Sequence, residues 1–150
     1  MTTKTAVEEF VAQRALAVVG VSRSGKKFGN LACNALKAKG YRVYPIHPHV
    51  DTIAGERCYR TLQDLPERVN AVFISVPPAE TESVVRAAAA AGVRRVWLQP
   101  GAESLAAIHF CEANGMEVIH GECVLMFAPP VRSIHRCHRW LWSTLGRLPR

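Results

Sequence analysis

The 150-residue sequence contains no apolar run near the roughly 20 residues that span a bilayer, so no transmembrane segment is expected. Its first nine residues carry Lys4, Glu8 and Glu9 around no apolar core, which argues against a secretory signal. Cysteine is scarce, odd in number and scattered: Cys33, Cys58, Cys111, Cys123 and Cys137. A disulfide framework is therefore not expected, and a reducing, cytoplasmic location is. Acid is missing altogether from residues 128–150, which hold Arg132, Arg136, Arg139, Arg147 and Arg150. Residues 1–127 hold 14 Lys and Arg against 12 Asp and Glu, so most of the formal net charge of +7 belongs to that tail. No helix-turn-helix, RNA-binding aromatic pair or base-reading array accompanies the arginines, and nucleic acid is not an expected partner.

What is present is an ordinary globular composition, 49% hydrophobic and 21% charged, in a length that suits about one domain. Residues 15–20 (ALAVVG), 41–46 (YRVYPI), 71–76 (AVFISV), 93–98 (VRRVWL) and 116–120 (MEVIH) read as short buried strands. Between them lie helical stripes over 28–39, 81–91 and 104–114, ended by Gly40, Gly92 and Gly115, with a short helical turn near 62–65. The alternation predicts an α/β fold: a Rossmann-like, doubly wound parallel sheet of about five strands with helices on both faces. The expected domain is residues 1–127. Ala128, Pro129 and Pro130 then lead to a C-terminal amphipathic helix near 131–145. Its apolar face is Ile134, His138, Leu141, Trp142 and Leu145, with Arg132, Arg136 and Arg139 on another. Such a face packs on the domain, on a second copy in a homo-oligomer, or on a protein partner. An interaction scaffold acting through the Arg/Trp tail is thus one alternative function.

In doubly wound sheets the ligand crevice lies beyond the carboxyl ends of the strands, where the strand order reverses. Residues 20–29, 47–48, 76–78, 99–101 and 120–123 are the loops to inspect. As a dinucleotide fingerprint the first loop fails twice. Gly20 and Gly25 are in place, but Ser22 replaces the middle glycine. Ile46, His47 and Pro48 stand where NAD-binding domains place a carboxylate on the ribose. An NAD(P)-type oxidoreductase-like domain is therefore the lesser alternative. As a P-loop, GVSRSGKK places Lys27 where a hydroxyl must hold Mg²⁺, and no Asp closes strand 71–76 or 93–98. What survives is a metal-free phosphate cradle. Backbone amides at a helix start attract anions, and Arg23, Lys26 and Lys27 add positive charge.

The segments AVVGVSRSGKKFGN, YRVYPIHP, GERCYRTLQDLP, VFISVPP, VWLQPGAES and GMEVIHGECV, in this order, resemble the small CoA-binding proteins. That family shares its domain with the N-terminal part of the succinyl-CoA synthetase alpha subunit, and the resemblance covers about residues 15–127. It implies a CoA-binding, Rossmann-like domain whose cofactor is coenzyme A or an acyl-CoA. Carried over, Gly20, Ser22, Arg23, Ser24 and Gly25 approach the phosphate-bearing end of CoA, and Lys26 or Lys27 neutralises its charge. Pro45, His47 and Pro48 border the adenosine. Val76, Pro77, Pro78, Gln99, Pro100 and Gly101 line the cleft toward the pantetheine arm. The family often has Asn where this chain has His47, an imidazole able to stack or to donate to phosphate. The charge pattern agrees, since CoA carries several phosphates and asks for no ribose carboxylate.

No complete catalytic constellation is present, so no catalytic residue is assigned and the expected role is non-catalytic binding. A synthetase needs a phosphorylatable histidine and a nucleotide-binding partner domain, and a sequence of this length leads us to expect no such second domain. His120 and Cys123 adjoin at the end of the last strand and read as a strand-end histidine and a small buried thiol, with a nucleophile–base pair or a mixed disulfide with CoA as the sharper alternatives. His109 and Cys111 point apart on a helix, and no metal site is assigned.

Overall fold

The computed structural model describes residues 2–128; the expected helix near 131–145 lies outside them. The strands are β1 (Ala15–Val19), β2 (Arg42–Ile46), β3 (Thr52–Ile53), β4 (Glu56–Arg57), β5 (Ala71–Ile74), β6 (Arg95–Leu98) and β7 (Glu117–Ile119). The helices are α1 (Lys4–Val11), α2 (Phe28–Ala38), α3 (Pro78–Ala90) and α4 (Leu105–Ala113). Five strands form one sheet in the order β2-β1-β5-β6-β7, every pair parallel, and β3 and β4 make a separate antiparallel hairpin. The order runs from β1 outward to β2, then back past β1 to β5, β6 and β7. This is one of the two common doubly wound orders, with its switch point between β1 and β5.

Strands buried on both faces explain the near-continuous apolar runs. Along β5, Ala71 and Phe73 join the core under α1 and α2, while Val72 and Ile74 join the core under α3 and α4. Trp97 of β6 turns to the first core, where Phe10 meets it edge-on with ring centroids 5.1 Å apart, and Val96 and Leu98 turn to the second. Helix α1 is absent from the sequence expectation. It is eight residues long, too short to show a clear period, and would be marginal alone. Thr3 caps it by accepting from Ala6 N–H at 3.1 Å. Buried Ala6, Val7 and Phe10 hold it down, and Glu9 pairs with Arg95 at 2.6 Å. The β3–β4 hairpin falls in a stretch expected to be loop, and Lys37 of α2 ion-pairs with its Glu56.

Candidate functional site

The chain leaves β1 toward α2 on one face of the sheet and leaves β5 toward α3 on the other. Between these exits lies a crevice of about 510 Å³, within the size range of small-molecule sites. Gly20, Val21 and Lys27 line it from the first loop, His47 and Pro48 from the end of β2, and Val76 and Pro77 from the end of β5. Arg60, Thr61 and Gln63, from the segment after the hairpin, and Glu80 and Ser83 of α3 also line it.

Two glycines make the approach of the loop possible. Gly20 has φ +119°, and a Cβ there would lie 2.1 Å from the Ser75 carbonyl oxygen. A Cβ on Gly29, in the first turn of α2, would lie 2.4 Å from the Gly20 carbonyl oxygen. The third fingerprint function, close packing of helix on strand, therefore belongs to Gly29. Gly25 has open space around it and serves a turn, with φ +71° and its N–H donating to Ser22 O at 3.1 Å.

Ser22 sits where a dinucleotide fingerprint needs glycine because its side chain turns inward to Asn30. The Asn30 Oδ1 accepts from Ser22 N–H at 2.9 Å and from Ser22 Oγ at 3.1 Å, and its Nδ2 donates to Ser22 O at 3.0 Å. Arg23, Ser24, Lys26 and Lys27 are exposed, and of these Lys27 lines the crevice. Lys27 is the N-cap of α2 and makes no side-chain capping bond, so the first turn lacks a side-chain acceptor from its cap.

His47 is half-buried, and its Nδ1 accepts from His49 N–H at 3.1 Å, leaving the proton of the neutral ring on Nε2. Burial, then the charges of Arg23, His49 and Lys27, hold its pKa below the usual histidine value. The imidazole is thus neutral near pH 7, and a bound anion would draw a proton onto it. Arg60 is tied to Asp51 at 3.1 Å.

Other residues singled out in the sequence lie elsewhere. Pro45 faces a separate cavity of about 140 Å³ behind the loop, shared with Cys33 and Cys58. Burial pushes the Cys33 thiol up to about 12, against the opposing charge of Lys37, which leaves it a poor nucleophile. Pro78 is the first residue of α3. Gln99 is 8% exposed, and its Oε1 accepts from Val124 N–H at 3.5 Å, which turns it toward the 124–126 turn. Pro100 and Gly101 are exposed at the end of β6. His120 and Cys123 follow β7, at the sheet edge beyond β6, and His120 N–H donates to Thr2 Oγ1 at 2.9 Å. Among the described residues no three His, Cys, Asp or Glu side chains gather as a metal site, and no helix is long and apolar enough to cross a membrane.

Sequence reasoning placed Gly29 inside the 20–29 loop without a role of its own, and missed Asn30, Arg60 and Glu80. Gly29 and Asn30 carried one legible signal, a small residue followed by an amide at the start of a helix. Arg60 and Glu80 reach the crevice through tertiary packing alone.

Comparison with known proteins bears on this crevice. Residues 14–129 match the family model described as the CoA binding domain. An ADP-forming acetate–CoA ligase II of Archaeoglobus fulgidus is 33% identical over 84 residues, 54% of this chain and 12% of that protein. The alpha subunit of an ADP-forming acetate–CoA ligase II of Pyrococcus furiosus is 24% identical over 129 residues, 79% of this chain and 28% of the subunit. The chain therefore spans only a minor part of the curated relatives it matches. Among solved structures, a conserved hypothetical protein from Pyrococcus furiosus is 39% identical, with a TM-score of 0.69 covering 74% of this chain and 96% of that one. The dinucleotide-forming acetyl-coenzyme A synthetase 1 of Ca. Korarchaeum cryptofilum is 27% identical, with a TM-score of 0.64 covering 75% of this chain and 27% of that one. The family match takes in all five strands of the parallel sheet and every loop at their carboxyl ends, and on it the chain belongs to the CoA binding domain family.

Proposed function

We propose that this protein binds coenzyme A, or an acyl-CoA, in the crevice between the exits of β1 and β5, and that it binds without catalysing a reaction. The observation that carries the reading is a crevice at the strand-order reversal lined by Lys27, His47, His49 and Arg60, with His47 and Pro48 in place of a carboxylate at the end of β2. Gly20 and Gly29 bring the loop backbone close to the sheet, and Arg23, Lys26 and Lys27 supply charge for the pyrophosphate and the ribose phosphate. Glu80 stands on the α3 side, so the electrostatic gradient directs the polyanionic end of the ligand toward α2. His47 and Pro48 border the adenosine in this reading, and Val76 and Pro77 carry the pantetheine arm out toward the exposed Pro100 and Gly101. The free thiols of Cys33, Cys58, Cys111 and Cys123 suit a reducing, cytoplasmic setting.

Ligase activity is a property of relatives much longer than the matched segment, and the Thr61 hydroxyl in the crevice is held by Asp64 Oδ2 at 2.8 Å as the cap of the 62–64 turn. The part taken up here is cofactor binding.

Titration calorimetry with CoA, dephospho-CoA, NAD⁺, NADP⁺ and ATP tests the proposal. CoA is expected to bind in the micromolar range, more tightly than dephospho-CoA and far more tightly than NAD⁺. Equal affinity for NAD⁺, or no binding of CoA, overturns it. Removing residues 131–150 is expected to leave CoA affinity in place; its loss would move the binding function to the tail.

A further inference from the structure

The direction of each hydrogen bond in the phosphate loop follows from donor and acceptor chemistry. Ser22 N–H can only donate and Ser22 C=O can only accept. The Asn30 carboxamide must therefore lie with Oδ1 toward the first, at 2.9 Å, and Nδ2 toward the second, at 3.0 Å. Oδ1 is also 3.1 Å from Ser22 Oγ and only accepts, so the Ser22 hydroxyl is the donor there. With that proton committed, Ser22 Oγ accepts in its 3.0 Å bond with Ser24 Oγ, which makes Ser24 the donor. Ser24 Oγ in turn accepts from Lys26 N–H at 3.4 Å. The chain runs one way, from the Lys26 amide through both serines to a buried asparagine in the first turn of α2.

We infer that Asn30 is the positioning residue of this loop, and that the hydroxyl protons of Ser22 and Ser24 are directed inward and are not given to the ligand. Resting on the CoA reading above, the phosphates are met by the side chains of Arg23, Lys26 and Lys27 and by backbone at the start of α2. Asn30 acts before the ligand arrives: it holds an exposed, charged loop in its binding shape, and affinity gains because less order is lost on binding. A loop held only by Gly25 and exposed lysines would have to be ordered by the ligand itself.

The test compares four proteins by CoA titration and by hydrogen exchange of the ligand-free state. Asn30→Ala removes three bonds at once and is expected to weaken CoA about tenfold. Amides of residues 22–27 should lose protection while those of β1 keep theirs. Ser24→Ala removes the two links of Ser24 Oγ, to Ser22 Oγ and from Lys26 N–H, but leaves Asn30 on Ser22, and is expected to weaken CoA by less than about threefold. Asn30→Asp replaces the Nδ2 donor with an oxygen that faces Ser22 O, and protonation restores a donor there. Its CoA affinity, as a ratio to the unsubstituted protein, is expected to recover from about pH 8 to about pH 4, where an Asp carboxyl takes up its proton.

Three results overturn the inference: a constant ratio across that range, Ser24→Ala losing as much affinity as Asn30→Ala with loop protection intact, or full CoA affinity in Asn30→Ala. If the unsubstituted protein binds no CoA, the ligand reading fails instead, and exchange in the ligand-free variants still decides whether Asn30 orders the loop.

Discussion

The five parallel strands end side by side, yet the two ends of that row behave differently. At β1 and β5 the following helices lie on opposite faces, the loops part, and a crevice of about 510 Å³ is left between them. At β6 and β7 the loops turn toward each other. Trp97 Nε1 donates to Glu122 O at 2.8 Å, Gln99 Oε1 accepts from Val124 N–H at 3.5 Å, and Val124, Leu125 and Met126 are buried against the sheet. Both ends carry glycine, proline and histidine in short strand-end loops, so composition alone does not separate a binding end from a packed one. The segment after β7 does: residues 122–126 fold back over the end of β6 and fill at that end the kind of space that stays open between the exits of β1 and β5.

The sharpest way to break the comparison is to place a methyl group on a glycine at each end. Gly20→Ala drives a Cβ into Ser75 backbone at a φ of +119° and is expected to cost about 3 kcal/mol or more in urea unfolding. Gly101→Ala, at φ +95° with open space around it, carries only the conformational cost, about 1 kcal/mol. Equal losses would mean that the loop after β1 is not held against β5.

Neutralising Arg23, Lys26 and Lys27 together to Gln is the next largest effect. CoA affinity should fall about tenfold or more, with a flatter dependence on salt. The thermal midpoint should stay near that of the unsubstituted protein, because all three side chains are exposed. Unchanged affinity would place the phosphates outside this loop.

His47 sharpens the comparison through pH. Its pKa is held low by burial and by Arg23, His49 and Lys27, so it is neutral without ligand and gains a proton beside an anion. CoA affinity should therefore carry a component that rises as pH falls through the histidine range. His47→Asn should remove that component, with a change at neutral pH of about threefold or less. A pH profile identical in both proteins would place His47 outside the site.

The smallest effect belongs to the packed end. Glu122 is 7% exposed, its Oε2 has no hydrogen-bond partner, and burial raises its pKa. Folding then favours the protonated acid, so stability is greatest below the ordinary carboxylate range and falls as pH rises through the raised folded value. Glu122→Gln should raise the thermal midpoint near neutral pH by the equivalent of about 1 kcal/mol or less, and the gain should vanish at acid pH. A gain that does not depend on pH would mean that ionisation of Glu122 is not its source.

The alternation of apolar strands with helical stripes made five sheet strands and three of the four α-helices among the described residues legible from residue spacing. Helix α1 was not, since Phe10 and Val7 are explained by Trp97 and its neighbours, a core assembled from residues nearly the whole chain apart. The hairpin was not legible either, because two-residue strands are too short to show a period of two. In the first loop, Gly20 and the three cations stood out by type. Asn30 did not: an asparagine in a helical stripe has many uses, and only the backbone shows it reaching across eight positions to Ser22. Gly25 and Gly29 are equally prominent in the sequence, and the Gly20 carbonyl decides which of them must lack a side chain.

By itself the sequence determined the fold class, the cationic loop after β1 and the missing carboxylate after β2. Those depend on residue types and on periods within single elements, which the chain carries locally. Tertiary structure alone decided which strand ends stay open, that Ser22 turns inward, that Pro45 and Gln99 face other parts of the molecule, and that Arg60 and Glu80 reach the crevice. Each of these is a meeting of segments distant in the chain. Its geometry is set by strand order and by the face to which each connection leaves, neither of which any local pattern encodes.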